Sequence, residues 1–485
     1  MRIILMQYSN LREFIKEVDA LGELRTIKGS EVSEVGPIAS LARMTGKCPA
    51  VLFDNIKDYP SGFRVFANNI NTPKRVALAL GIDPSLPPME ILRSWKEKRK
   101  SINPEPITKV SDAPFTENVD TNERVNVLKF PVPQWHEMDG GRYIGSGCIS
   151  IVRDPDEDWV NLGIYRVQVH DNKTLVIHFD HFRRHGHLIA KKYWDRGLSC
   201  PIALACGEDP VLFLAASESS PWGVSEFGFA GWLRGHSIEV LESNLTGLPL
   251  PVSSEIMIEG EIPSPKQLTE LEGPFGEATG YYAGEPRPSP VIKLKRIMYR
   301  NDPILSGNAP LRPPYHTTGI PLDAARLWED LEKSGIKNVA SIWKPSRWMT
   351  VISMCQSAHD EAKRAGDIAV KSRGVYLDRF IVVVDDDIDP TNTHDVLWAM
   401  STRCEPSSGI IIYPNLDGST LDPLVSPEKY AKGDFTHSKA VIDACKPFQW
   451  RDRFPRTNTL TKDTTKSISE RWLKFLEPTE TEFHS

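Results

Sequence analysis

A chain of 485 residues has room for roughly three domains. Its 40% hydrophobic and 25% charged content is that of an ordinary folded protein, which excludes disordered and fibrous classes. A formal net charge of −6 with dispersed basic residues excludes the broad electropositive face of a nucleic-acid binder. At the start, Gln7 and Ser9 interrupt the apolar run before a signal-peptide core can form, so secretion is not expected. No stretch approaches the ~20 apolar residues needed to span a bilayer. Cys48, Cys148, Cys200, Cys206, Cys355, Cys404 and Cys445 include no CxxC pair and read as reduced thiols of a cytoplasmic protein.

The first predicted element is a helix. Leu11, Phe14, Ile15, Val18 and Leu21 recur at helical spacing, Ser9 or Asn10 can cap the start, and Gly22 can stop it. The short apolar runs Val51–Phe53 and Phe63–Phe66 suit strands and complete an N-terminal α/β unit over residues 1–120. Its end is marked by Ser101–Thr121, a polar stretch holding Pro104, Pro106 and Pro114 that cannot sustain a helix. Residues 121–320 alternate β-like runs with Gly and Pro: Cys148–Val152, Trp159–Val169, Thr174–Phe179 and Ile256–Ile258, with helices near Ala190–Trp194 and Phe229–Arg234. A third unit, 321–456, opens with a helix over Leu322–Lys333, ended by Gly335. It contains the continuous apolar run Phe380–Val384, a buried strand leading into Asp385–Asp387. The last segment, 457–485, is polar around a Ser467–Leu476 helix, a tail that could pack on a neighbouring subunit.

Several constellations can carry chemistry. In Leu271-Glu272-Gly273-Pro274-Phe275-Gly276-Glu277 the Gly-Pro and Gly make a turn, so both carboxylates can face one pocket and divide acid–base labour. The plainer reading is two solvated glutamates. Asn161-Leu162-Gly163-Ile164-Tyr165-Arg166 offers an amide oxygen for a hard cation and a planar fork for a carboxylate. On a regular strand Asn161 and Arg166 diverge, unless a bulge at Gly163 redirects the chain. His178, His181, His185 and His187 cluster in sequence, but zinc would want cysteines or HExxH. Glu226, in Gly223-Val224-Ser225-Glu226, either faces a pocket or, like Ser225, caps the following helix. Asp385–Asp389 lacks the Gly and distant Glu of a calcium loop and reads as an acidic strand end. Gly140–Gly145 matches neither a dinucleotide fingerprint nor a P-loop.

Taken in order, these pieces resemble the UbiD-type decarboxylases across nearly the whole chain. The matching wording is Gly140–Ile144, Asn161–Arg166, His185 followed twelve residues later by Gly197, Gly223–Glu226, Leu271–Glu277 with Gly280-Tyr281-Tyr282 after it, and Asp385–Asp389 followed by Val396–Ala399 and Thr402-Arg403. The resemblance implies an α/β (α+β) fold: an N-terminal α/β unit, a central split β-barrel that binds flavin, and a C-terminal α/β oligomerisation domain in a homo-oligomer, dimer or hexamer. It implies prenylated flavin mononucleotide (prenylated FMN), supplied by a flavin prenyltransferase, with its phosphate bridged by Mn2+ or Mg2+. On matched positions the metal ligands are Asn161, His185 and Glu226, and the cofactor also meets Gly163, Ile164, Tyr165, Arg166, Arg184 and Arg373. A K+ ion often accompanies the family's metal, but Ala216-Ser217-Glu218 departs from the pattern for that site.

Arg166, Glu272 and Glu277 fall on the family's catalytic positions: Arg166 steers the substrate carboxylate, Glu272 holds Arg166, and Glu277 returns a proton once CO2 leaves. The implied reaction is reversible non-oxidative decarboxylation of an aromatic, heteroaromatic or α,β-unsaturated carboxylic acid. Arg184 stands where some relatives have glutamine, a change that bears on substrate preference. Polar groups in Pro310–His316 and Phe435-Thr436-His437, expected to border the pocket, lean toward a hydroxylated or heteroaromatic acid. The alternatives are a flavin-binding oxidoreductase and a non-catalytic subunit of a carboxylase complex. A hydride-transferring flavoprotein has no need of Arg166, Glu272 and Glu277 together, and a scaffold would tolerate their loss.

Overall fold

Asn10 caps the first helix, Leu11–Ala20, by accepting the Glu13 N–H at 3.1 Å, and Leu11, Phe14, Ile15 and Val18 are buried beneath it. The computed structural model describes residues 8–179, 184–218, 220–312 and 318–476. After Gly22, at φ +72°, the strand Leu24–Lys28 pairs in parallel with Ala50–Asp54, which pairs antiparallel with Arg64–Ala67. The fourth strand of this sheet, Ile304–Gly307, arrives from far along the chain and lies parallel to Arg64–Ala67.

The central sheet sets up the site. Its path runs Val160–Gly163, Ile149–Arg153, Cys200–Cys206, Ile256–Ile262, Arg287–Tyr299, Thr174–His178, Arg166–Val169, each antiparallel to its neighbour. The two end strands are consecutive in sequence. Only Ile164 and Tyr165 separate them, so the chain leaves one edge and begins the other, and the sheet curls into a half-barrel. This corrects the expectation of one strand over Trp159–Val169 with a bulge at Gly163: the run is two strands on opposite edges, and Gly163 is a paired residue opposite Ser150. Both faces are buried. Ile149, Ile151, Ala203 and Ala205 join one core cluster and Val152, Ile202, Leu204 and Cys206 another, the alternation expected of a strand covered on both sides.

Tyr165 locks the crossing. A Cβ on Gly163 would lie 2.5 Å from the Tyr165 ring, and one on Gly186 would lie 2.8 Å from its hydroxyl. The Gly186 N–H donates to that hydroxyl at 3.1 Å, which ties the crossing to the first turn of the helix His185–Asp195.

The C-terminal sheet runs Val339–Ser346, Met349–Met354, Phe380–Asp385, His437–Ala444, Ile410–Leu416, with parallel pairs at its centre. The helix expected from Leu322 begins at Ala324, because Pro321–Ala324 closes a turn first; it buries Leu327 and Leu331 and is followed by Gly335 at φ +90°. Asp385 and Asp387 do end a buried strand. Arg403 reaches Asp385 at 3.0 Å and Asp387 at 2.8 and 3.0 Å, and Lys446 adds a second cation at 2.6 Å. The last helix, Lys462–Leu476, is longer than the sequence suggested and leaves Trp472, Leu473 and Phe475 exposed. All seven cysteines are free, and among the described residues no helix is long and apolar enough to cross a membrane.

Candidate active site

Arg166 opens the strand at one edge of the half-barrel, and the turn after Thr269–Glu272 carries two carboxylates to it. Its Nε donates to Glu272 Oε1 at 2.8 Å and its Nη2 to Glu272 Oε2 at 2.9 Å, a planar two-point clamp. Its Nη1 donates to Glu277 Oε1 at 2.6 Å. The side chain of Glu272 is 0% exposed, that of Arg166 6% and that of Glu277 16%, so Glu277 is the member on the open side. Burial opposes the charge on Arg166, but the hydrogen bonds and charge of Glu272 outweigh it and keep the guanidinium protonated beyond its ordinary range. The solvated-glutamate reading of the turn is therefore wrong for both residues.

Around the trio stand residues that sequence reasoning passed over. Tyr143 OH donates to Glu272 Oε1 at 2.9 Å, and its own ionisation is pushed up by burial and by that carboxylate. Gln168, two residues beyond Arg166 on the same face, accepts the Gly273 N–H at 3.0 Å and donates to Gly140 O at 2.9 Å. Asp139 accepts the Gly276 N–H at 2.8 Å and the His136 N–H at 2.9 Å, which fixes the turn between the two glutamates. The Phe275 ring lies 5.9 Å from the Arg166 guanidinium. His178, directly opposite Arg166 in register, has Nδ1 3.5 Å from Glu272 Oε2. Burial, with Arg166 and Arg287 nearby, holds His178 well below the usual histidine range, so its ring is neutral. The signal that could have found Gln168 and His178 is strand parity and pairing with Arg166; the Glu272 contact of Tyr143 has no local signature.

The other edge builds a second cluster. Glu226 begins the helix Glu226–Arg234, yet its carboxylate turns to the neighbouring strand, accepting the Leu162 N–H at 2.8 Å and the Asn161 amide at 3.2 and 3.3 Å. Burial pushes Glu226 up to about 7 against those hydrogen bonds. Asn161 Oδ1 is buried without a hydrogen-bond partner among the described residues. His185, first residue of its helix, has its ring centre 5.7 Å from Trp159 and 5.3 Å from Trp222. These indoles precede Asn161 by two residues and Glu226 by four. Burial and the charges of Arg184 and Arg373 lower His185, so its nitrogens are available as neutral ligands. An orphaned amide oxygen, a carboxylate kept from water and a neutral imidazole are the donor types that a divalent cation of manganese type accepts.

The remaining expectations divide. Gly163, Ile164 and Tyr165 lie in or beside the edge-to-edge crossing, between the two clusters. Exposed Arg184 and Arg373 both act on His185, although Arg373 comes from the C-terminal unit. His187 is a packing residue between Phe179 and Trp194. The Glu218 carboxylate already faces Arg99 at 3.5 Å and Arg326 at 3.6 Å, cationic partners that do not require a potassium ion. Thr436 and His437 line a cavity of about 390 Å³ in the C-terminal unit with Arg379, Asp422 and Lys429, and none of Arg166, Glu272 and Glu277 lines it. That segment meets the trio indirectly, through Phe435 against Tyr430 and Tyr430 over Arg287. His181, Arg183 and Pro313–His316 lie outside the described residues.

Three family models cover most of the chain: the 3-octaprenyl-4-hydroxybenzoate carboxy-lyase N-terminal domain at residues 15–95, the Rift-related domain at 107–313 and the C-terminal domain at 316–444. The chain is 31% identical over 456 residues to a phenolic acid decarboxylase of Bacillus subtilis, covering 91% of this chain and 93% of that one. It is 30% identical over 469 residues to a pyrrole-2-carboxylic acid decarboxylase of Pseudomonas aeruginosa, covering 91% and 92%. The structure superposes on the UbiD-class enzyme HmfF from Pelotomaculum thermopropionicum in complex with FMN with a TM-score of 0.81 and 28% identity, over 94% of this chain and 98% of that one.

Proposed function

Given that the chain belongs to the UbiD carboxy-lyase family, we propose that it decarboxylates a hydroxylated aromatic or heteroaromatic acid, reversibly, with prenylated FMN. The observation that carries this reading is the buried Arg166 clamped at two points by Glu272 and held at a third by the more open Glu277. The names of the phenolic and pyrrole acid relatives support the substrate class. No observation favours a hydride-transferring oxidoreductase.

Charge balance gives the order of events. Arg166 contributes one positive charge against two glutamates, so an incoming substrate carboxylate finds a site already over-supplied with negative charge. If it takes over the Nη1 contact it displaces Glu277, because Glu272 already holds Nε and Nη2. A carboxylate parted from its guanidinium takes a proton more readily, which relieves the repulsion and arms Glu277 as an acid. When CO2 has left, Glu277 delivers that proton from its carboxyl oxygen to the carbon that carried the lost group. Tyr143 keeps Glu272 hydrogen-bonded, and the neutral His178 stands 3.5 Å away without competing for its charge. When bound, the modified flavin supplies the electrophile that accepts the electron pair a bare protein could not accommodate.

In this reading Asn161, His185 and Glu226 would hold Mn2+ or Mg2+, Arg184 and Arg373 would supply positive charge to the flavin phosphate, and Gly163, Ile164 and Tyr165 would line the cofactor between the two clusters. The cofactor comes from a flavin prenyltransferase in the same cytoplasm. The chain assembles as a homo-oligomer through the 321–456 unit, where Leu397, Trp398, Ile410 and Ile412 are exposed. The test is to purify the protein from cells with and without a co-expressed flavin prenyltransferase and screen aromatic acids for CO2 release. Turnover only from the co-expressing cells supports the reading; equal turnover from both would refute the cofactor, and none with any acid would refute the activity. Glu226→Gln should lower metal and flavin content together; a metal-free variant with normal flavin content would refute the bridge.

A further inference from the structure

We propose that Trp222 is a positioning residue that, with Trp159, holds the His185 imidazole in its ligand orientation before any metal arrives. The inference rests on the metal reading of Asn161, His185 and Glu226 given above. Asn161 and Glu226 are fixed to each other by hydrogen bonds, and Glu226 is fixed again by the Leu162 N–H. His185 is different: no hydrogen bond to a described residue holds its ring. Metal-binding histidines ordinarily donate their second nitrogen to a carboxylate, carbonyl or water that fixes the ring. Here the fixing contacts are aromatic.

The three rings form a closed triangle. His185 stands 86° to Trp159 and 88° to Trp222, and the two indoles meet at 5.1 Å and 74°. Such edge-to-face contacts are directional, because the positive ring edge seeks the negative face. Each indole is joined to a ligand-bearing segment, so the triangle brings the His185 helix, the Asn161 strand and the loop that leads into the Glu226 helix together. Trp222 is itself braced. Its Nε1 donates to Glu157 Oε1 at 3.2 Å, and Lys192 Nζ sits 5.0 Å from its ring centre while ion-paired to Asp154 at 2.7 Å. Trp159 is 7% exposed and belongs to the core, whereas Trp222 is 36% exposed, so its removal should spare the fold.

Without Trp222 the His185 ring samples further rotamers, and metal binding must then order it. The expected loss is about 10–100-fold in metal affinity, the range found when a ligand's supporting partner is removed. The experiment titrates MnCl2 into flavin-free protein supplemented with FMN and follows free Mn2+ by electron paramagnetic resonance, for wild type, Trp222→Ala, Trp222→Phe and His185→Ala. Trp222→Ala should bind more weakly by that factor, Trp222→Phe should restore most of the affinity, and circular dichroism should be unchanged. In metal-free protein the His185 ring-proton resonance, displaced by the indole ring currents, should move toward its free position in Trp222→Ala and much less in Trp222→Phe. Wild-type affinity in Trp222→Ala, with His185→Ala impaired, would overturn the positioning role and leave the metal site standing. If His185→Ala binds Mn2+ as wild type does, the metal reading fails and this inference with it.

Discussion

Arg287 stands opposite Glu272 across the antiparallel pair that ends in the active-site turn, and its guanidinium lies 5.0 Å from the ring centre of Tyr430. A side chain flanking the buried carboxylate thus touches the C-terminal unit, and Tyr430 also accepts a hydrogen bond from Arg287 Nη1. Cation–π contacts of this kind contribute about 0.5–1 kcal/mol at exposed sites. Tyr430→Ala should therefore lower kcat/KM by roughly 2–5-fold, with Tyr430→Phe in between. Steady-state kinetics on the loaded enzyme checks this, and an unaffected alanine variant would show that the contact does not serve catalysis.

Glu277→Gln keeps size and hydrogen bonding and removes the proton. A positioned acid contributes about 10²–10⁴-fold, so turnover and deuterium incorporation into product should fall at least about a hundredfold while flavin content persists. Glu272→Gln should also be impaired, with substrate affinity suffering as well, because Arg166 loses its two-point anchor. Wild-type turnover in cofactor-loaded Glu277→Gln would remove Glu277 as the donor.

If the substrate carboxylate displaces Glu277 from Arg166, binding must draw in about one proton per acid bound. Isothermal titration calorimetry in buffers of different ionisation enthalpy measures this directly. Uptake should vanish in Glu277→Gln, and affinity for the acid should weaken as pH rises. No uptake in the wild type would mean that the three carboxylates coexist ionised.

Glu208 lies fully buried beside Asp209, and burial lifts it from an ordinary value near 4.5 to about 8, against hydrogen bonds from Ser254 and Ser253. Between those two values the folded protein keeps a proton that the unfolded chain has already lost. Its contribution to stability is therefore full below about 4.5 and is lost as pH climbs to about 8. Each pH step of one across that interval removes about 1.4 kcal/mol. Melting midpoints measured from pH 5 to 8 should fall more steeply for the wild type than for Glu208→Gln. Parallel curves would reject the assignment.

What could be read from the sequence was what is local. The turn chemistry of Gly273-Pro274-Phe275-Gly276 announced that Glu272 and Glu277 could share a pocket, and Phe380–Val384 announced its strand because a continuous apolar run needs no partner to be recognised. Asn161 and Arg166 presented a contradiction instead, two candidates of opposite parity on one supposed strand. Its resolution is non-local: the chain changes edges between them, and only closure of the sheet shows it. The same holds for Tyr143, which reaches Glu272 from 129 positions away, and for Trp159 and Trp222, whose contact spans 63 positions. Side-chain partners set by folding leave no spacing to count.

The edge change at Ile164 and Tyr165 also sets a length scale. Asn161 and Arg166 lie five residues apart on one covalent segment, although they belong to two different side-chain clusters. Their separation is therefore a property of bonded geometry, stiffened by Tyr165 wedged against Gly163 and Gly186, and not of how the N- and C-terminal units happen to be oriented. A single inserted residue here would pull the Asn161–Glu226 cluster out of step with Arg166 and its two glutamates.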